Sequence, residues 1–242
     1  SQSRRYFGAL HRARHAARSL GPVGIAAVEF FRAPRFGGFR DAMASPLLLD
    51  MAIHQFDMAR FLLDADPVAV RCEEYNPSWS WYSGNAAASA VFEMEGGARF
   101  AYSGSWCSPG LETSWNGSWR ISAERGTVLW DGDHEPEIST DLPHAGEDAD
   151  PGTETAGSLR EFVVALRTGA EPMGRAHANI LSLAMVEAAV QSAMTGRRVL
   201  VDEILDASYE SALAMEADPE VRAVLDAWPS ARAALSPVGQ PA

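Results

Sequence analysis

One segment constrains this chain more than any other: SPLLLDMAIHQFDMARFLLD, residues 45–64. Ser45 is placed as an N-cap, and Pro46 sits where a first helical residue belongs. Asp66 and Pro67 stop the pattern. Between these signals Leu47, Leu48, Leu49, Met51, Ile53, Phe56, Met58, Phe61, Leu62 and Leu63 point in almost every direction, so the helix is largely buried. Yet Asp50, His54 and Asp57 share one face, at i,i+4 and i,i+3 spacing. Unpaired charge is expensive to bury, so that stripe must meet a partner or a cleft. Three readings stay open at this point. Asp57 pairs structurally with Arg60 or His54; the stripe is a solvated edge; or a carboxylate orients His54 in a cleft as a general acid/base near neutral pH.

The surrounding sequence supplies the layers. Residues 3–20 carry Tyr6, Leu10, Ala13, Ala17 and Leu20 at helical spacing, with Arg and His opposite, and Gly21-Pro22 ends the run. A strand is predicted at 23–32. After the central helix come short strands at 68–75, 86–94, 98–106, 117–123 and 126–132, with hairpins at Glu95-Gly96-Gly97 and Arg125-Gly126. Residues 131–159 hold nine acids and no Lys or Arg, which reads as a solvated loop. Helical periodicity returns at 155–168, 175–196 and 201–216, and the Pro- and Ala-rich tail from 229 is expected to fray. The order implies a single α+β domain over residues 1–242: a large, open, predominantly antiparallel sheet with helices packed on one face. Its uncovered face is expected to carry a homodimer or homotetramer contact.

Composition excludes several classes. The net charge is −12, which argues against nucleic-acid binding. The eight Arg of residues 1–40, against the single acid Glu29, read as the solvent side of an amphipathic helix, or a side facing another domain, rather than a binding arm. All 20 basic residues are Arg, so no lysine is available as acid, base or Schiff-base former. No apolar run approaches a membrane span and no secretory signal is visible. Cys72 and Cys107 could form one disulfide, although a reduced, cytoplasmic protein is the expectation. His134 and His144 lie among acids without a recognisable ligand spacing, and no metal is expected.

The segment LLLDMAIHQFDMARFLL resembles the signature helix of the glucose-fructose oxidoreductase / inositol dehydrogenase / rhizopine-catabolism (Gfo/Idh/MocA) family, with its D-x-x-x-H-x-x-D motif at Asp50, His54 and Asp57 followed by ARFLL. GPVGIAAVEFFR resembles the family's turn into the first strand of its second domain. WRISAERGTV resembles a later strand and turn, with Ala123 where the family has a glycine, and HANILSLAMVEAAVQSAMTGRRVLV resembles its late helix. The resemblance spans most of residues 4–204.

That resemblance implies a dihydrodipicolinate-reductase-like sheet domain, the substrate-binding and oligomerisation half of an oxidoreductase. It implies NAD or NADP bound mainly by an N-terminal dinucleotide-binding domain. No G-x-G-x-x-G follows a strand here, and the family's catalytic lysine has no counterpart. This chain alone is therefore expected to be inactive. Implied roles are His54 as base for a substrate hydroxyl and Asp50 as its partner and a substrate contact. The substrate is expected to be a sugar or a cyclitol such as inositol. Asp57 is assigned to substrate binding, with structural fixing of the imidazole as its other reading. Trp115 is a candidate aromatic platform, Trp119 a core or interface residue, and Arg32 a substrate or surface group. The alternative is a non-enzymatic, ligand-sensing member of the same fold.

Overall fold

A computed structural model describes residues 2–142 and 152–235. A short 3-10 turn, Ser3–Tyr6, leads into helix α1, Gly8–Ser19. Strand β1 (Val23–Phe31) follows, then a connection that enters a π-helical turn, Leu47–Ala52, and α2, Ile53–Leu63. Strands β2 (Pro67–Tyr75), β3 (Ala87–Met94), β4 (Arg99–Ser105), β5 (Ser118–Ala123), β6 (Gly126–Trp130) and β7 (Glu137–Ser139) come next. The chain continues through α3 (Glu154–Thr168), α4 (Ala176–Thr195), β8 (Val199–Leu200), α5 (Val201–Met215), α6 (Pro219–Asp226) and α7 (Ala231–Leu235).

The fold is α+β. Eight strands make one open sheet in the order β7-β6-β5-β1-β4-β3-β2-β8. Every pairing is antiparallel except β1 with β4. Alternation along each strand sends one set of side chains inward: Val28 and Phe30 from β1, Phe92 from β3, Phe100 and Tyr102 from β4, Trp119 and Ile121 from β5, Val128 and Trp130 from β6. The helices α1, α2 and α4 cover that face. Trp119 is thus a core residue, its indole N–H donating to the Asn116 carbonyl at 2.8 Å.

Helix α2 is pinned at the centre of the sheet. Phe56 is fully buried and meets Phe92 at 4.8 Å, Tyr102 at 5.3 Å and Phe100 at 5.9 Å between ring centroids, each edge-on. Truncating such a ring costs about 3–5 kcal/mol. The opposite face of the sheet stays open. Ile25, Val91 and Leu129 stand 44%, 48% and 40% exposed there, around the small residues Ala27 and Ala101.

Several sequence expectations change. Ser45 does not cap the helix: its hydroxyl donates to Glu74 at 3.0 Å. The stretch 131–159 is not all loop, since it contains β7 and the start of α3, while 143–151, with His144, lies outside the described residues. The tail from 229 does not simply fray. Ala231 in α7 is buried, and Arg232 bonds Asp202 at 2.6 Å; residues 236–242 lie outside the described residues. Both cysteines are free thiols. The Arg side of α1 is solvated, with Arg18 61% exposed, and it is also paired: Arg14 and Arg18 with Asp64, and Arg12 with Glu135.

Candidate functional site

The π-turn and α2 place the polar stripe at one end of the sheet, where three further segments converge. The first is the N-terminal turn with Arg4 and Arg5. The second is the connection after β1, with Arg32, Phe36 and Arg40. The third is the loop between β4 and β5, with Trp115 and Asn116. Each is tied locally. The connection after β1 is clamped to the loop before β3 by Ser83 N–H donating to the Asp41 carbonyl and Asn85 N–H to the Ala44 carbonyl, both at 2.8 Å. Gly84 between them is an obligatory close approach, since a Cβ there would lie 2.0 Å from the Ala44 carbonyl oxygen. The Trp115 loop turns into β5 at Gly117, whose φ of +84° and contact with β1 also exclude a side chain.

The stripe does not act as one triad. Asp57 is 1% exposed and both its oxygens are occupied. Arg5 grips them bidentately at 2.8 Å each, and the Ser182 hydroxyl donates to Oδ1 at 2.8 Å. Asp57 is thus held inside the fold by Arg5 and Ser182 rather than turned toward a ligand, an arrangement that matches its structural reading and not the substrate-binding one. Nor is Arg60 its partner. Arg60 bonds Asp66 at 2.6 Å and reaches Ser182 at 2.8 Å and the Ala178 carbonyl at 2.7 Å, stapling α2 to α4.

Asp50 is not hydrogen-bonded to His54; it accepts from Arg40 Nε at 2.7 Å and remains partly exposed. His54 is mostly enclosed, and its Nδ1 is buried without a hydrogen-bond partner among the described residues. Burial pulls its pKa down to about 4, assisted by the charge of Arg4 and opposed by Asp57 and Asp50. The imidazole is thus neutral at pH 7, able to accept a proton.

Trp115 is 38% exposed and set in a frame. Arg32 lies 4.2 Å over its ring, Phe36 is 6.3 Å away, and its carbonyl accepts from Gln55 at 3.1 Å and from Arg4. Arg32 is committed to that frame, paired with Glu112 at 3.0 Å and donating to the Thr113 carbonyl at 2.6 Å. Arg40 sits 5.2 Å over Phe36. Arg4, His54, Asp50, Arg40, Phe36 and Trp115 therefore close a ring. Reading the sequence missed Arg4, Arg5, Arg40, Gln55 and Asn116. The one available signal was the Arg-rich start of a chain whose central helix needed countercharge. Among the described residues no His, Cys, Asp or Glu cluster could hold a metal, and no helix is long and apolar enough to cross a membrane.

Residues 12–129 match the family model described as the GFO/IDH/MocA C-terminal domain. An uncharacterized Sinorhizobium fredii protein, y4oX, is 26% identical over 195 residues, covering 75% of this chain and 54% of its own length. Three solved structures share the fold. An oxidoreductase from Agrobacterium radiobacter, in complex with NAD+, L-tartaric acid and magnesium, superposes with a TM-score of 0.70 at 19% identity, covering 84% of this chain and 65% of the other. An aldose-aldose oxidoreductase from Caulobacter crescentus, complexed with glycerol, gives 0.67 at 19% identity, covering 82% and 62%. The WlbA dehydrogenase from Bordetella pertussis, in complex with NADH and UDP-GlcNAcA, gives 0.66 at 19%, covering 81% and 61%. The chain thus spans between half and two thirds of the length of these relatives.

Proposed function

We propose that this chain, whose residues 12–129 match the model of the GFO/IDH/MocA C-terminal domain, is the substrate-binding and catalytic half of an NAD(P)-dependent oxidoreductase acting on a hydroxyl-bearing carbon of a sugar or cyclitol. The observation that carries this reading is His54: a neutral imidazole with an unsatisfied, buried Nδ1, held beside an exposed aromatic and a ring of polar groups. Nδ1 is sealed inside the chain, so the other ring nitrogen, Nε2, is the one a substrate hydroxyl would meet.

A bound oxidised nicotinamide supplies the acceptor for the hydride. The chain's own residues handle the rest. His54 takes the hydroxyl proton as the C–H bond breaks and the carbonyl forms. Asp50 accepts a hydrogen bond from a neighbouring hydroxyl with the lone pairs that Arg40 leaves free, and Arg40 holds it in place. Trp115 offers its ring to the apolar face of the sugar. Asp57 fixes the helix through Arg5 and takes no part in the chemistry. The dinucleotide phosphates find no glycine-rich cradle in this sequence, so a separate dinucleotide-binding domain completes the site. The open sheet face around Ala27, Ala101, Val91 and Ile25 serves as the contact between copies.

The test is a panel of polyols and sugars with NAD+ and NADP+, using the full-length protein and His54→Ala. Turnover that falls by about 10²–10⁴-fold in the variant supports the assignment. No nicotinamide-linked turnover with any polyol would sink it.

A further inference from the structure

Arg4 is the one guanidinium of the ring with no carboxylate partner. Arg32 has Glu112 and Arg40 has Asp50, at 3.0 and 2.7 Å. Arg4 makes no ion pair among the described residues; Glu154 influences it electrostatically without contact. Its Nη1 donates to neutral acceptors, the Trp115 carbonyl and Asn116 Oδ1, the latter at 2.8 Å. Its Nε and Nη2 donate to nothing among the described residues, yet neither is sealed from solvent. The side chain is nonetheless desolvated enough that burial pulls its pKa down to about 10, so it remains charged. Asn116 is itself 4% exposed and anchored to the Gly132 carbonyl at 2.7 Å, so the guanidinium is held in a fixed orientation. A fixed, half-desolvated cation with an open planar fork is complementary to a carboxylate. Its charge also reaches His54.

We propose that the polyol accepted at this site is an acid, a uronate or an aldonate, whose carboxylate docks on the Nε–Nη2 edge of Arg4 while its reacting hydroxyl lies at His54. This rests on the oxidoreductase reading for the role of the hydroxyl, but the carboxylate site stands on Arg4 alone. Arg5 is excluded from the role because Asp57 saturates it. Arg32 is excluded by Glu112 and by its seat on Trp115.

The test is calorimetric titration of the chain with D-glucuronate, D-gluconate, D-glucose, D-glucitol and D-glucose 6-phosphate, in wild type, Arg4→Gln and Arg4→Lys, with circular dichroism confirming the fold. At least one acid should bind wild type roughly tenfold or more tighter than its neutral counterpart, consistent with a hydrogen bond to a charged group. Arg4→Gln should abolish that preference and Arg4→Lys retain part of it. Equal affinities for acids and neutral polyols, no binding of either acid, or a preference that survives Arg4→Gln would overturn the proposal. A sugar phosphate that outcompetes both acids overturns the carboxylate assignment. Because no turnover is involved, an intact acid preference alongside no NAD(P)+-linked turnover by the full-length protein would reject the oxidoreductase reading and leave this one standing.

Discussion

Arg5 and Asp57, 52 positions apart, form a two-pronged ion pair at 2.8 Å for each prong. That contact fastens the N-terminal turn to the central helix and occupies an acid whose spacing pointed to the chemistry. Arg4, the residue just before Arg5, is thereby held at the rim of the candidate site.

Breaking this pair should be costly, because it strands a cation and opens a buried pocket. Asp57→Ala should destabilise the fold by about 3–5 kcal/mol, the usual range for removing one member of a buried pair. Urea unfolding measures it. Asp57→Asn, which keeps the shape and one acceptor, should lose less. An Asp57→Ala variant within 0.5 kcal/mol of wild type, by that general yardstick for surface changes, would mean the pair is ornamental.

His54 links stability to acid. Its folded pKa, about 4, lies below the ordinary value of 6.5, so as pH falls the unfolded chain binds the proton first. His54 therefore subtracts stability progressively as pH drops from 6.5 to 4, and adds no further slope below that. In His54→Gln this slope should vanish, leaving the variant relatively more stable than wild type at pH 4.5 than at pH 7. Parallel stability–pH curves for the two proteins would contradict it.

Glu74 should show the opposite sign. Burial raises its pKa to about 7, with the Ser45 hydrogen bond opposing. A folded pKa above the ordinary carboxylate value favours the fold at low pH, and that contribution is lost as pH rises from 4.5 through 7. Glu74→Gln should gain thermal stability on wild type at pH 8 and show little difference at pH 5. A gap that is the same at both values refutes the linkage.

Gly84 is the hinge pin of the Arg40 segment. A methyl group there collides with the carbonyls of Ala44 and Met43, at 2.0 and 2.4 Å, and backbone cannot step aside as a side chain can. Gly84→Ala should cost about 1–3 kcal/mol by overpacking. It should also expose Arg35 and Arg40 to trypsin. Wild-type resistance to trypsin at both positions would show that the clamp tolerates the methyl.

Much of this was legible beforehand, and the reasons differ by residue. The central helix declared itself through Pro46, its apolar sweep and the stop at Asp66-Pro67, and the β3–β4 and β5–β6 hairpins through their glycine turns. These signals are local. The partners of the stripe are not: Arg5 and Ser182 reach Asp57 across 52 and 125 positions, and no spacing rule connects them. Arg40 lies ten positions before Asp50, and the loop that pushes it there is held by Gly84. Strand β8 has two residues, too few for any periodicity. The placement of β1 in the middle of the sheet is likewise set by pairings far along the chain.

The parallel contact between β1 and β4 divides the sheet into two sets of antiparallel strands. On one side β3 and β4 close by a short turn and β2 reaches β3 through the longer loop of residues 76–86, and on the other β5, β6 and β7 follow one another by short connections. Strand β1 joins the sets, and its Ile25 faces Arg99, 74 positions on. Chain closure over such a span is entropically slow beside hairpin formation. We expect β1, and with it the segment bearing Arg4 and Arg5, to dock last during folding. Substitutions such as Val28→Ala would then accelerate unfolding and leave the refolding rate nearly unchanged, whereas a slowed refolding limb would place β1 in the nucleus. Candidate site and folding endpoint would be completed by one and the same step, so that a chain caught short of its native state would lack the Arg4 side of that site.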